Sequence, residues 1–196
     1  MEGSIFIAGA GVQWLRDKLN FFKKASETEN IIKSLKDNKG VYLVPAFTGL
    51  GAPYWDANAR GVLSGLTRDT GPKEIIRATI ESVAYQTYDL FEAMKHDGLR
   101  PKLVKVDGGM VMNNWFSQFL SNVVDIKVLR PKVQETTALG AAFMAGLQIG
   151  IYKSLKDISK NWHLDRNFTP KINSKARNSL VKGWSAAIKK TLTNTI

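Results

Sequence analysis

The sequence contains no cysteine and only two histidines, His96 and His163. The first absence excludes a disulfide scaffold, a thiol nucleophile and a thiolate-ligated zinc site. The two imidazoles lie far apart in the chain and lack neighbouring ligands at coordinating spacing. Ser/His/Asp hydrolase and zinc readings therefore fall away, and no metal site is expected. A G-x-x-x-x-G-K-[ST] loop is also missing, so nucleotide chemistry would need a different fold. No stretch approaches the ~18–20 uninterrupted apolar residues that span a bilayer. The opening run Met1–Ala10 carries no basic segment of the kind that begins a signal peptide. No membrane contact is expected, and cytoplasmic residence is.

What the chain does have is 44% hydrophobic and 10% aromatic residues, spread along all 196 positions. That is enough for one compact domain with a single core. The expected division is a core over about 1–158 and a C-terminal tail with a covering helix over 159–196. The formal charge is +11, which would suit a polyanionic partner if the cations were clustered. They are scattered: pairs such as Lys23-Lys24 and Lys189-Lys190 are interrupted by acids and apolar residues, without the Arg-aromatic interleaving that reads bases. Nucleic acid is not an expected partner.

Hydrophobic periodicity alternates strands with helices. Ser4–Ala8 reads as a short buried strand and Ala10–Asn20 as a helix with Val12, Leu15 and Leu19 on one stripe. A polar helix follows over Glu27–Lys36, then a strand at Val41–Val44, a breaker-rich loop from Pro45 to Asp56, and a strand at Gly61–Leu66. The longest helical signal starts at Pro72 and runs to His96, with Ile76, Ile80, Val83, Leu90, Phe91 and Met94 as its apolar stripe and Gly98 as its stop. Leu103–Val106 reads as a strand leading into Asp107-Gly108-Gly109, and Asn113 fits the N-cap of a helix through Phe116, Phe119, Leu120 and Val123. Ile126–Leu129 is a further strand and Thr136–Gly150 a very apolar helix rich in small residues. Asn161–Thr169 reads as irregular, and Asn173–Leu192 as an amphipathic covering helix. The pattern is α/β with a mixed sheet flanked by helices.

Two places could carry chemistry. Asp107-Gly108-Gly109 followed by the Asn113 cap permits close backbone approach and offers free helix N–H groups to a phosphate; an ordinary strand-to-helix turn uses the same glycines. Gly9 and Gln13, four apart at the start of the first helix, could line the edge of a small planar ligand, or Gln13 could simply be solvated. Thr48, Tyr54, Trp55 and Asp56 invite a sugar-binding reading, but aromatics in a long loop more often anchor it. Glu81, set among Ile80, Val83 and Ala84, is expected to make a structural hydrogen bond.

The run Gly61-x-Leu63-x-Gly65-Leu66, followed after seven residues by Glu74-Ile75-x-x-Ala78-Thr79-Ile80-Glu81, resembles the second signature of the FGGY carbohydrate kinases. Val44–Asp56, Arg60-Gly61, Gly9–Asp17 and Thr137–Ala142 resemble the glycerol kinases of that family rather than its kinases for xylulose or gluconate. The resemblance covers nearly the whole chain. It implies the C-terminal domain of such an enzyme, with the ribonuclease-H-like fold of the actin/Hsp70/sugar-kinase superfamily, closing over ATP against an N-terminal twin.

Carried over residue by residue, the resemblance places adenosine and phosphate contacts at Gly9, Gln13, Gly109 and Asn113. It implies Mg-ATP (ATP with Mg2+) as donor and glycerol as acceptor. The family's catalytic Asp and its glycerol-binding side chains belong to the N-terminal half, so no catalytic residue is expected among these 196 and activity is expected only with an N-terminal kinase fragment as partner. A non-catalytic nucleotide-binding remnant, a piece of another FGGY sugar kinase and a protein-interaction module are the alternatives. Some bacterial members dock a phosphotransferase regulator through a zinc-binding Glu in the tail. Here Ala176 holds that position, and the resemblance does not extend to that contact. Self-association into a homo-oligomer is expected, because the surface that would face the twin meets solvent.

Overall fold

A 25-residue helix is the element around which the chain is organised. The computed structural model describes residues 3–193. In chain order, α1 (Gly9–Asp17) and α2 (Glu27–Lys33) precede β1 (Tyr42–Val44), β2 (Val62–Ser64) and the long α3 (Pro72–His96). Pro72 opens α3 at the position where a missing N–H costs least, and the Glu74 carboxylate accepts the Gly71 N–H at 2.9 Å. Gly98, at φ +86°, ends it where the sequence placed a stop. Ile76, Ile80 and Val83 are buried as their spacing predicts, while Leu90, Phe91 and Met94 are only half-covered.

β3 (Leu103–Lys105) and β4 (Lys127–Pro131) pair in parallel, with α4 (Asn114–Val124) packed against both α3 and β4. After α5 (Thr136–Gln148) and α6 (Leu155–Ser159), β5 (Leu164–Phe168) joins β4 antiparallel, giving the expected mixed sheet in the order β3-β4-β5. β1 and β2 form a separate antiparallel pair. The chain closes with α7 (Ser174–Thr191), capped by the Asn173 carboxamide, which accepts the Ala176 N–H at 2.9 Å.

The tail is part of the core. Trp184 of α7 is fully buried, its ring stacked on Tyr85 of α3 at 5.3 Å, and Tyr85 meets Phe119 of α4 edge-on at 5.6 Å. α7 also lies against β1, where Gly183 leaves room for the Tyr42 ring. A buried polar knot sits beside this cluster. The Glu81 carboxylate accepts the Asn38 amide at 2.6 Å and the Arg77 guanidinium at 2.8 Å, which is the structural bonding the sequence suggested.

Two expectations need correction. Ser4–Ala8 forms no strand. An apolar run becomes a strand only where an edge is free to pair with it, and here the Ile7 carbonyl instead accepts the Gln86 side chain at 3.1 Å. Asn161–Thr169 is not irregular throughout. Its polar Leu164–Phe168 becomes β5 because β4 offers an open edge, with Arg130 and Asp165 paired at 2.6 Å beside that edge. α5, the most apolar helix by sequence, buries only Gly146; Met144 is 51% exposed and Ile149, just beyond it, 73%. Among the described residues no helix is long and apolar enough to cross a membrane.

Candidate functional site

The four site residues chosen from the sequence meet at one cavity of about 450 Å³. α1 lines it with Gly9, Val12 and Gln13, and the turn after β3 lines it with Gly109 and Asn113. Strand-to-helix geometry explains this convergence. Gly108 adopts φ +83°, which turns the chain into a 3-10 turn over Gly109–Met112, and Asn113 then caps α4 by accepting the Phe116 N–H at 3.0 Å. The turn is held from below, because Gly108 N–H donates to the Gln134 carbonyl at 3.2 Å and the Thr136 hydroxyl donates to the Asp107 carboxylate.

Gly9 and Gly109 are glycines that the fold itself does not require. Neither has positive φ, and a Cβ on either would meet nothing within 4 Å. Both border the cavity, so a side chain at either would stand at its rim. Val12, Ile80, Met110 and Met112 supply apolar lining suited to the faces of a planar ring.

Sequence reasoning missed the third wall. Ala25, Ser26, Thr28 and Glu29 close the cavity from the start of α2, a segment that reads only as a polar helix. Burial raises the Glu29 carboxyl, but hydrogen bonds from Lys33 and Asn114 outweigh that and hold it below the usual carboxylate range. Its contact with Asn114 spans 85 residues of sequence, a separation at which no local pattern signals a pairing.

The long loop turns out to be mostly an anchor. The Tyr54 hydroxyl donates to the Asp89 carboxylate at 2.9 Å, and Asp56 accepts the Asn58 and Ala59 N–H groups at 3.0 Å each and Thr193 N–H at 2.7 Å. Trp55, 70% exposed, and Thr48 stay on the surface. Among the described residues no group of three or more metal-ligating side chains is clustered.

The arrangement is a mixed sheet whose glycine turn and capped helix open on one cavity. The sequence matches the FGGY family of carbohydrate kinases, C-terminal domain, over residues 1–149. The chain belongs to that family and has its ribonuclease-H-like, actin/Hsp70-type fold. It is 55% identical over 190 residues to glycerol kinase 1 of Pseudomonas aeruginosa, covering 97% of this chain and 38% of that protein. Against the glycerol kinase of Clostridium botulinum the identity is 52%, covering 98% and 39%. The solved Plasmodium falciparum glycerol kinase with ADP superposes at TM-score 0.87 with 36% identity, over 98% of this chain and 38% of that one. A ligand-bound xylulose kinase from Lactobacillus acidophilus, at TM-score 0.79 and 24% identity, shares the fold. The chain thus spans under two fifths of the length of these glycerol kinases.

Proposed function

We propose that this chain is the nucleotide-binding C-terminal portion of a glycerol kinase, acting in the cytoplasm on Mg-ATP and glycerol to give ADP and sn-glycerol 3-phosphate. The observation that carries the reading is the convergence of Gly9, Gln13, Gly109 and Asn113 on one cavity, two of them glycines with no steric reason in the fold. The base of ATP would lie against Val12, Ile80 and Met110. The Gln13 amide and the Asn113 cap would meet its polar edge, and the open backbones of Gly9 and Gly109 would admit its sugar and phosphates.

Bound magnesium would neutralise phosphate charge during transfer. This chain supplies one wall of the cleft. Phosphoryl transfer needs the acceptor hydroxyl oriented and the developing charge stabilised from both sides, so the chain alone should turn over nothing. The partner that would complete it is an N-terminal kinase half. The uncovered face of α5 supports this, since a charge-free helix with only Gly146 buried is suited to seat against another body.

Calorimetric titration of the chain with ATP, with and without magnesium, tests the nucleotide reading. The same titration after adding a recombinant N-terminal half and glycerol tests the enzyme. Binding that tightens and turnover that begins on adding that half support a kinase portion. Nucleotide binding with no turnover in either arrangement would leave a non-catalytic nucleotide-binding remnant instead.

A further inference from the structure

Two consecutive residues of α2 hold two consecutive residues at the start of α4. The Glu29 carboxylate accepts the Asn114 backbone N–H at 3.2 Å and the Asn114 side-chain amide at 3.4 Å, and Lys33 steadies it at 2.5 Å. Beside it the Thr28 hydroxyl accepts the Asn113 amide at 3.4 Å while donating to the Ala25 carbonyl at 2.7 Å. The other end of the Asn113 carboxamide is committed to the Phe116 N–H. Asn113 is thus fixed from both sides, and Thr28, Glu29 and Asn113 all border the cavity.

The clasp also places a carboxylate, paired with Lys33, at that wall. Glu29 is held ionised, and it occupies the first free N–H of α4, the place where a phosphate would otherwise gain from the helix dipole. A fixed carboxylate repels phosphate from that wall. At the α1 wall, the helix begins at Gly9 with no side-chain cap and no acid in its first turn, and Arg16 also borders the cavity.

We propose that Glu29 is a positioning residue that orients the bound nucleotide: by holding the backbone and side chain of Asn114 it fixes the start of α4, and with it the neighbouring Asn113, for the nucleoside, and it keeps phosphate off that helix end, directing the phosphates toward Gly9. This rests on the nucleotide reading of the cavity.

The test is calorimetry of adenosine and ADP on the full chain, as wild type, Glu29→Ala and Glu29→Gln, with urea midpoints recorded for each. In Glu29→Ala adenosine should weaken about three- to tenfold through the lost clasp. The ratio of ADP to adenosine affinity should rise about two- to fivefold, because the repelling charge is gone. Glu29→Gln keeps one acceptor for the Asn114 N–H, so it should lose less adenosine affinity and show the same rise in ratio. It carries the test alone if the alanine variant does not fold. Adenosine affinity unchanged in Glu29→Ala, or a ratio that stays level or falls in the variants, overturns the proposal while leaving the nucleotide reading standing. Wild-type protein that binds no ADP overturns that reading, and the proposal with it.

Discussion

The Trp184 indole N–H donates to the Asp89 carboxylate at 2.6 Å, tying α7 to α3 at the oxygen that also receives the Tyr54 hydroxyl. Burial pushes the Asp89 carboxyl up to about 6, against the pull of those two donors, and Glu92 adds to the rise. A carboxyl whose pKa is higher folded than unfolded binds more protons in the folded state between the two values. Its contribution therefore weakens as pH climbs from about 4 through about 6. Asp89→Asn removes the charge and keeps an acceptor. Relative to the variant, wild type should lose on the order of 2 kcal/mol between pH 4 and pH 7. Paired urea denaturation at the two pH values reads this directly, and a constant difference would contradict it.

Glu81 tests the buried knot. Its side chain is 1% exposed and that of Arg77 13%, so Glu81→Ala strands a guanidinium and the Asn38 amide in the interior. The expected loss is about 3–5 kcal/mol, with Glu81→Gln falling between. Chemical denaturation of the three proteins decides it.

Trp184→Ala should cost about 3–5 kcal/mol, since a fully buried ring stacked on Tyr85 leaves a large void. A chain ending at residue 158 would lose both that ring and β5, the strand that covers β4. It should show no cooperative thermal transition by circular dichroism. A stable, cooperative 1–158 fragment would mean that the tail is a cover and not a part of the core.

Local signals were strong where local chemistry decides the outcome. Pro72, Gly98 and an apolar stripe delimited α3, and Asn113 announced the cap of α4, because caps and helix periodicity are written within a few residues. Strand formation depends on a partner edge elsewhere, which is why Ser4–Ala8 looked like a strand and is none, and why polar Leu164–Phe168 looked like none and is one. The candidate site divides in the same way. Gly9, Gln13, Gly109 and Asn113 came from motif resemblance and turn chemistry. Thr28 and Glu29 enter only through contacts across 85 residues.

The uncovered helix makes an aggregation prediction. Met144, Ile149, Ile151 and Leu155 are each at least half exposed, on and just beyond α5. In isolation the chain should self-associate as concentration rises, and light scattering should record a mass above 21.8 kDa. Ile149→Lys with Ile151→Lys should shift it toward monomer. Adding an N-terminal half should do the same by covering the face. A wild-type chain that stays monodisperse at high concentration would contradict the prediction.

The two open glycines separate fold from ligand more sharply than any other positions. Gly9→Ala and Gly109→Ala add a methyl where the protein has no neighbouring atom within 4 Å and no positive φ to strain. Stability should therefore hold, or rise by up to about 1 kcal/mol as the unfolded chain loses freedom. Both positions border the proposed nucleotide cavity, and crowding there should weaken ADP binding about fivefold or more. Urea midpoints set beside calorimetric titrations give both quantities on one protein. Stability held with affinity lost would mean that these glycines are kept for the ligand. Affinity held in both variants would move the nucleotide away from these backbones and leave Gln13 and Asn113 as the walls to test next.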